Sequence, residues 1–139
     1  MPKLTRWFLK AALSYFVLAM AAGVLVAGRQ PLGLPGWVNA INPVYFHMFM
    51  LGWVTQLIFG IAYWMFPKYS REQPHRSEGL AWAVFWMLNA GLGLRVIAEP
   101  WQALQPTAAA AGALVGSAAL QWAAAAGFVA NTWGRVKGR

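Results

Sequence analysis

Residues 42–67 read NPVYFHMFMLGWVTQLIFGIAYWMFP and include no Lys, Arg, Asp or Glu. The 23 residues from Val44 to Phe66 would span ~34 Å as an α-helix, which is enough to cross a bilayer core of ~30 Å with some tilt. Pro43 lies in the first turn, where its missing N–H costs nothing, and Pro67 ends the helix. The stretch therefore predicts a transmembrane helix over about residues 43–67.

The composition extends this interpretation to the whole chain of 139 residues, of which 60% are hydrophobic and 10% charged. A soluble domain of this size carries roughly 25% charged residues. Three further apolar segments predict helices over about residues 7–28, 78–98 and 106–132, with Ser77 as an N-cap and Pro100 ending the third helix. We therefore expect an all-α integral membrane protein with four transmembrane helices, embedded in the lipid bilayer as a single domain over residues 1–139.

The net charge of +8 comes from basic residues grouped between the apolar segments. Nine of the Lys and Arg residues lie at the N-terminus, between the second and third helices and at the C-terminus, whereas Arg29 and Arg95 lie on the other side. The positive-inside rule therefore places both termini in the cytoplasm. Because this is the pattern of topology determinants, we expect no nucleic acid partner.

The ionisable group that stands out inside the second helix is His47, roughly one turn from its start. A neutral imidazole can ligate haem iron or another metal, and the alternative is a hydrogen bond to a neighbouring helix. His75 falls in the loop after this helix, ~30 Å from His47 along the axis, so the two cannot bind one metal within a chain. The chain has no cysteine, which excludes disulfides, thiolate metal sites and covalent haem attachment.

Arg95 is expected about one turn inside the outer end of the third helix, in the same leaflet as His47. It either pairs with Glu99 at i,i+4 or snorkels to the interface, or it binds an anion such as a haem propionate. Since His47 and Arg95 share this depth, one haem could touch both. The other polar residues inside the helices are expected to form interhelical hydrogen bonds: Thr55, Gln56, Asn89 and Gln121.

The second helix resembles the second transmembrane helix of haem-copper oxidase subunit I, in particular the cbb-type and nitric-oxide-reductase-like branch. The resembling residues are His47, Leu51-Gly52-Trp53-Val54-Thr55, Ile58-Phe59-Gly60-Ile61-Ala62-Tyr63 and Pro67. Relatives often have His-x-His here, and Tyr45 occupies the first histidine position. The resemblance continues more weakly through Ser77–Trp101.

The resemblance implies both an assembly and a cofactor. The family subunit has twelve helices in three four-helix arcs, so this chain corresponds to one arc, and a homotrimer would rebuild the subunit with haem pockets between neighbouring chains. The family histidine of this helix is an axial ligand of low-spin haem, which assigns haem b to His47. Arg95, Tyr45 and Trp101 are assigned as further haem-binding residues. The sixth iron position stays open between water, no ligand, and Tyr45, Met48 or Met50 of a neighbouring chain.

A haem-copper reductase needs several more histidines than the single one expected in this membrane domain. We therefore expect no copper, and the sequence does not decide whether the chain is an enzyme. We expect a b-type haem-binding protein of a bacterial or archaeal cytoplasmic membrane, acting in electron transfer or diatomic-gas binding with an unidentified redox partner. The alternative is a cofactor-free structural, accessory or assembly subunit of a membrane complex.

Overall fold

The computed structural model describes residues 1–71 and 76–136, which form helices joined by short connections. Among these residues, four helices are long and apolar enough to cross a membrane. They are named here α1 (Lys3–Gly28), α2 (Gly36–Met65), α3 (Glu78–Leu104) and α4 (Ala108–Thr132), and a short 3₁₀ helix, Trp133–Arg135, follows α4. The prediction of an all-α membrane protein with four transmembrane helices is confirmed at this level.

Helix α2 changes its hydrogen-bonding pattern along its length. Its successive segments are a 3₁₀ helix over Gly36–Ile41, an α-helix over Asn42–His47, a π-helix over Met48–Thr55 and an α-helix over Gln56–Met65. The sequence analysis did not predict the π segment, which begins directly after His47. Because π-helices are rare and are frequently found at functional sites, this position is notable. Because a π-helix bonds residues five apart instead of four, the side chains beyond Thr55 point in different directions from those of a regular α-helix.

Two prolines act differently at the helix ends. Phe66 leaves the helix with φ −63° and ψ 144°, as expected of a residue that precedes a proline. The predicted end of the third helix at about residue 98 is wrong, since α3 continues through Pro100 to Leu104. Proline removes only its own N–H, and the N–H groups of the next turn still find acceptors, as Gln105 does at the carbonyl of Trp101 at 2.8 Å.

Two hydroxyl side chains cap the N-termini of α3 and α4. Ser77 Oγ accepts a hydrogen bond from the backbone N–H of Leu80 at 3.2 Å, which confirms the predicted N-cap. Thr107 Oγ1 accepts in the same way from the N–H of Ala110 at 3.1 Å, so α4 begins at Ala108. Both caps satisfy N–H groups that have no partner inside the helix.

Consecutive helices run antiparallel, so the N-terminus, the connection between α2 and α3, and the end of α4 meet at one end of the bundle. There Trp7 of α1 packs edge-on against Trp82 of α3 with ring centres 6.2 Å apart. At the same end, the backbone N–H of Ser77 donates to Asn131 Oδ1 at 3.2 Å. We call this the terminal end and the other the distal end.

The main hydrophobic core lies toward the terminal end, and four of its ten buried residues are aromatic. Phe59 of α2 stacks on Phe128 of α4 at 3.8 Å, and Phe8 of α1 meets Phe85 of α3 edge-on at 5.0 Å. Toward the distal end, α1 and α2 share a smaller core: Ala19, Ala22, Val44 and Met48. Val96 of α3 packs against this smaller core, and polar side chains also join α3 to α2 and α4 in that part of the bundle.

Candidate functional site

Glu99 is the centre of a polar network near the distal end. Its Oε1 lies 3.1 Å from Nδ1 of His47 on α2 and 3.2 Å from Nη1 of Arg95, one turn earlier on α3. The side chains of His47, Arg95 and Glu99 are only 27%, 15% and 10% exposed. The predicted i,i+4 pair of Arg95 and Glu99 is therefore present, and it also contacts the predicted histidine.

The hydrogen-bonding neighbours of His47 assign the proton on its ring. Nδ1 lies 2.9 Å from the carbonyl oxygen of Pro43 and also faces the carboxylate of Glu99. Both neighbours are acceptors, so Nδ1 must carry the proton and donate it. In the neutral imidazole, Nε2 then keeps its lone pair and is the nitrogen that can bind a metal.

The network continues from α3 to α4 through Ser117. Arg95 Nε donates to Ser117 Oγ at 3.0 Å, and Gln121 Nε2 donates to the same oxygen at 3.2 Å. The hydroxyl of Ser117 in turn donates to the carbonyl of Gly91 at 2.7 Å. A Cβ at Gly91 would lie 3.1 Å from the carbonyl oxygen of Ser117, so the absence of a side chain lets the two helices come this close.

The structure separates Tyr45 and Trp101 from His47 within one chain. Tyr45 precedes His47 by two residues, about 200° around an α-helix, and faces α1. A Cβ at Gly23 of α1 would lie 3.0 Å from the ring of Tyr45. Trp101 is 41% exposed and follows Glu99 by two residues, on a different face of α3. Of the four predicted haem-binding residues, only His47 and Arg95 belong to one network.

Two members of this network were not predicted from the sequence. Glu99 was assigned only to Arg95, because spacing on one helix cannot show a contact made by another helix. Ser117 gave no signal at all, since a small polar residue in an alanine-rich helix resembles its neighbours. The predicted separation of His75 from His47 is not tested, because His75 lies outside the described residues.

A second polar contact joins α2 to α3 in the middle of the bundle. The amides of Gln56 and Asn89 exchange two hydrogen bonds of 3.2 Å, and Gln56 is fully buried. These two residues confirm the prediction of interhelical hydrogen bonding. Thr55 and Gln121 do not, since their side chains bond to Met50 and Ser117 of their own helices.

The donor set around His47 fits a haem ligand better than a polydentate metal site. In residues 1–71 and 76–136, no three His, Asp or Glu side chains come close enough to hold a metal ion. A haem requires one axial nitrogen, and a histidine that ligates iron commonly donates its other N–H to a carbonyl or carboxylate. His47 has this arrangement. Three clefts on the described residues are lined by other side chains and not by His47.

The comparisons with known proteins add no relationship. No family model matches the chain, and neither a curated protein nor a solved structure is significantly similar to it. The resemblance of α2 to haem-copper oxidase subunit I therefore stays a prediction that depends on the residues quoted above.

Proposed function

We propose that this integral membrane protein binds b-type haem, with Nε2 of His47 as an axial ligand of the iron. The observation that carries the proposal is the pair of acceptors at Nδ1: the carbonyl of Pro43 at 2.9 Å and Oε1 of Glu99 at 3.1 Å. These contacts fix the orientation of the ring and leave the lone pair on Nε2. A histidine that ligates a metal commonly donates its other ring N–H to a carbonyl or carboxylate in this way.

Arg95 supplies the positive charge nearest to His47 and would bind a haem propionate. Its Nε and Nη1 are engaged by Ser117 and Glu99, so Nη2 is the nitrogen left to donate to a further carboxylate. Tyr45 and Trp101 face away from His47, so we propose that they contact the haem ligated by a neighbouring chain. A bound haem would supply one-electron transfer or a binding position for a diatomic gas.

In a homotrimer, the neighbouring chain would supply walls for a haem pocket at His47. Each chain would contribute one four-helix arc, as the resemblance to haem-copper oxidase subunit I implies, and each haem would lie between two arcs. Large apolar side chains on the outer faces of α1 and α4, such as Val24 at 70% and Trp122 at 74% exposure, would meet either lipid or the next chain. Following the positive-inside rule, we propose that the terminal end faces the cytoplasm, in the membrane of a bacterium or archaeon.

The test is the absorption spectrum of the detergent-purified protein, oxidised and then reduced with dithionite. We expect a Soret band in the parent and in the control variant His75→Ala, and its loss in His47→Ala. Added imidazole should restore the band in His47→Gly, which separates the loss of a ligand from the loss of the fold. A parent that stays colourless after expression with added haem would contradict the proposal.

The second candidate is a cofactor-free structural or accessory subunit. It is favoured by the network itself, in which protein partners already engage His47, Arg95, Glu99 and Ser117 and thereby join α2, α3 and α4. In that case the parent is colourless, yet His47→Ala still lowers the unfolding free energy because Glu99 loses a hydrogen-bond donor.

A further inference from the structure

A basic cleft runs along one face of α1 near the terminal end. It has a volume of about 440 Å³, and its rim carries three cations, Lys3, Arg6 and Lys10. Lys3 and Lys10 are separated by two helical turns, ~10.5 Å, so they lie on the same side of the helix with Arg6 close to this line. No acidic side chain lines the cleft.

None of these three cations forms a salt bridge in the described part of the chain, and the nearest carboxylate there is that of Glu78, which lines a neighbouring cleft together with Lys3. The salt bridges found there join only His47, Arg95 and Glu99, at the distal end. The first turn of α1 contains no acidic residue, so the partial positive charge of the helix N-terminus adds to that of the side chains. The cleft therefore strongly favours an anion.

The lower part of the cleft has a different chemistry from its rim. It is lined by Ala11 and Ser14, whereas Phe85, which is 3% exposed, lies beside Trp7 with the ring centres 6.0 Å apart. Ser14 lies eleven residues beyond Lys3, ~16 Å further along the helix axis. Its hydroxyl donates to the carbonyl of Lys10 at 3.0 Å, so it presents no free donor to the cleft. The lower part thus offers a mainly apolar channel that leads away from the cations.

Tryptophan side chains mark the level at which the charged and apolar parts meet. Trp7 also lines the cleft, and its ring centre lies 6.2 Å from that of Trp82 and 6.4 Å from that of Trp86. Tryptophan is enriched where lipid headgroups meet the acyl chains. Trp7 therefore marks the headgroup level, with Lys3 and Arg6 on its outer side and Ala11 and Ser14 at the level of the acyl chains. The long side chain of Lys10, which lies beyond Trp7, can snorkel back to the headgroups.

We infer that the cleft binds an anionic phospholipid of the bilayer. The phosphate is held by Lys3, Arg6 and Lys10, and one acyl chain lies along Ala11 toward Ser14. The two parts of the cleft match the two parts of such a lipid in charge, in polarity and in depth. A free anion would use the rim alone, whereas a zwitterionic lipid would leave the three cations uncompensated.

The inference is tested by native mass spectrometry of the detergent-purified protein with an equimolar mixture of phosphatidylglycerol and phosphatidylcholine that have identical acyl chains. We expect the parent to retain phosphatidylglycerol preferentially. Because a basic residue near a membrane surface contributes roughly 1 kcal/mol, Arg6→Gln/Lys10→Gln should reduce this preference about tenfold or more. The charge-matched control Lys68→Gln/Arg71→Gln, outside the cleft, should keep it.

A second pair of variants tests the apolar part without changing any charge. Ala11→Trp fills the channel and should reduce the retention of phosphatidylglycerol, whereas Ala21→Trp, at an exposed position of the same helix, should not. Any one of three results would overturn the inference. They are equal retention of the two lipids by the parent, equal loss in the two charge variants, and unchanged retention in Ala11→Trp. Glycerol phosphate is added as a competitor, and if it displaces the lipid at equal concentration, the rim binds phosphate alone and the inference is also overturned.

Discussion

Nδ1 of His47 on α2 lies 3.1 Å from Oε1 of Glu99 on α3. The same carboxylate oxygen binds Arg95, whereas Oε2 of Glu99 is buried and has no hydrogen-bond partner among the described residues. Glu99 therefore balances the charge of Arg95 and orients the ring of His47, while its Oε2 still needs a hydrogen-bond donor. A substitution that removes only its charge separates these roles.

We predict that Glu99→Gln lowers the unfolding free energy by roughly 2–4 kcal/mol, because it leaves the mostly buried guanidinium of Arg95 without a counter-charge. The measurement is equilibrium unfolding in mixed micelles. The matched control is Glu78→Gln, which removes an exposed carboxylate from the first turn of α3 and should cost only about 0.3–1 kcal/mol. Equal effects of the two substitutions would show that Glu99 does not stabilise Arg95.

We predict that the neutral ring of His47 is protonated at Nδ1 and not at Nε2. The reason is that the oxygens of both Pro43 and Glu99 face Nδ1 and can only accept. Nitrogen-15 NMR of the haem-free protein in lipid measures this directly, with His75→Ala leaving a single histidine signal. A signal from the Nε2–H form would contradict the geometry and remove the main support for axial ligation.

The sequence predicted the four helices because each is apolar over a length that matches a bilayer. It could not predict the π segment or the passage of α3 through Pro100, since a proline can either end a helix or lie within it and the π segment has no distinctive residue pattern. The extension of α3 places Arg95 nine residues before the helix end at Leu104, roughly 14 Å, and not about one turn from it.

The sequence predicted the level of the candidate site along the helices but not which helix faces meet there. Helical rise alone placed His47 and Arg95 at one level, and the structure joins them through Glu99. Which face of α2 meets α3 depends on tertiary packing, so the assignment of Tyr45 to the same site did not follow from its position in the sequence. Tertiary packing also decides the burial of Arg135, which was counted as a cytoplasmic charge but is 1% exposed.

We predict that Arg135→Gln destabilises the bundle by roughly 2–4 kcal/mol. Its guanidinium holds the C-terminal end of α2, where helix carbonyls lack intrahelical donors. Nε donates to the carbonyl of Pro67 at 3.0 Å, and Nη2 donates to those of Phe66 at 2.8 Å and Tyr63 at 3.1 Å. Equilibrium unfolding of the purified variant measures the loss.

Arg135→Lys should recover only part of this stability, because an ammonium group cannot reproduce the planar fork of donors. Arg71→Gln, which removes an exposed arginine from the connection after α2, is the control and should be close to neutral. Full recovery in Arg135→Lys would mean that the charge matters and the directed hydrogen bonds do not.

We predict that Gly52→Ala loosens the contact between α1 and α2. A Cβ at this position of the π segment would lie 2.6 Å from Cγ and 2.8 Å from Cβ of Tyr15. These atoms are at the root of the side chain, so a rotation of the ring cannot move them away and α1 itself must shift, at a cost of about 1–3 kcal/mol.

Gly112→Ala is the control, since a Cβ there has no atom within 4 Å and alanine favours the helical conformation. Thermal unfolding of both variants in the same detergent should therefore show a lower midpoint for Gly52→Ala alone. Equal midpoints would mean that α1 and α2 lie further apart at this level than the contact with Tyr15 requires.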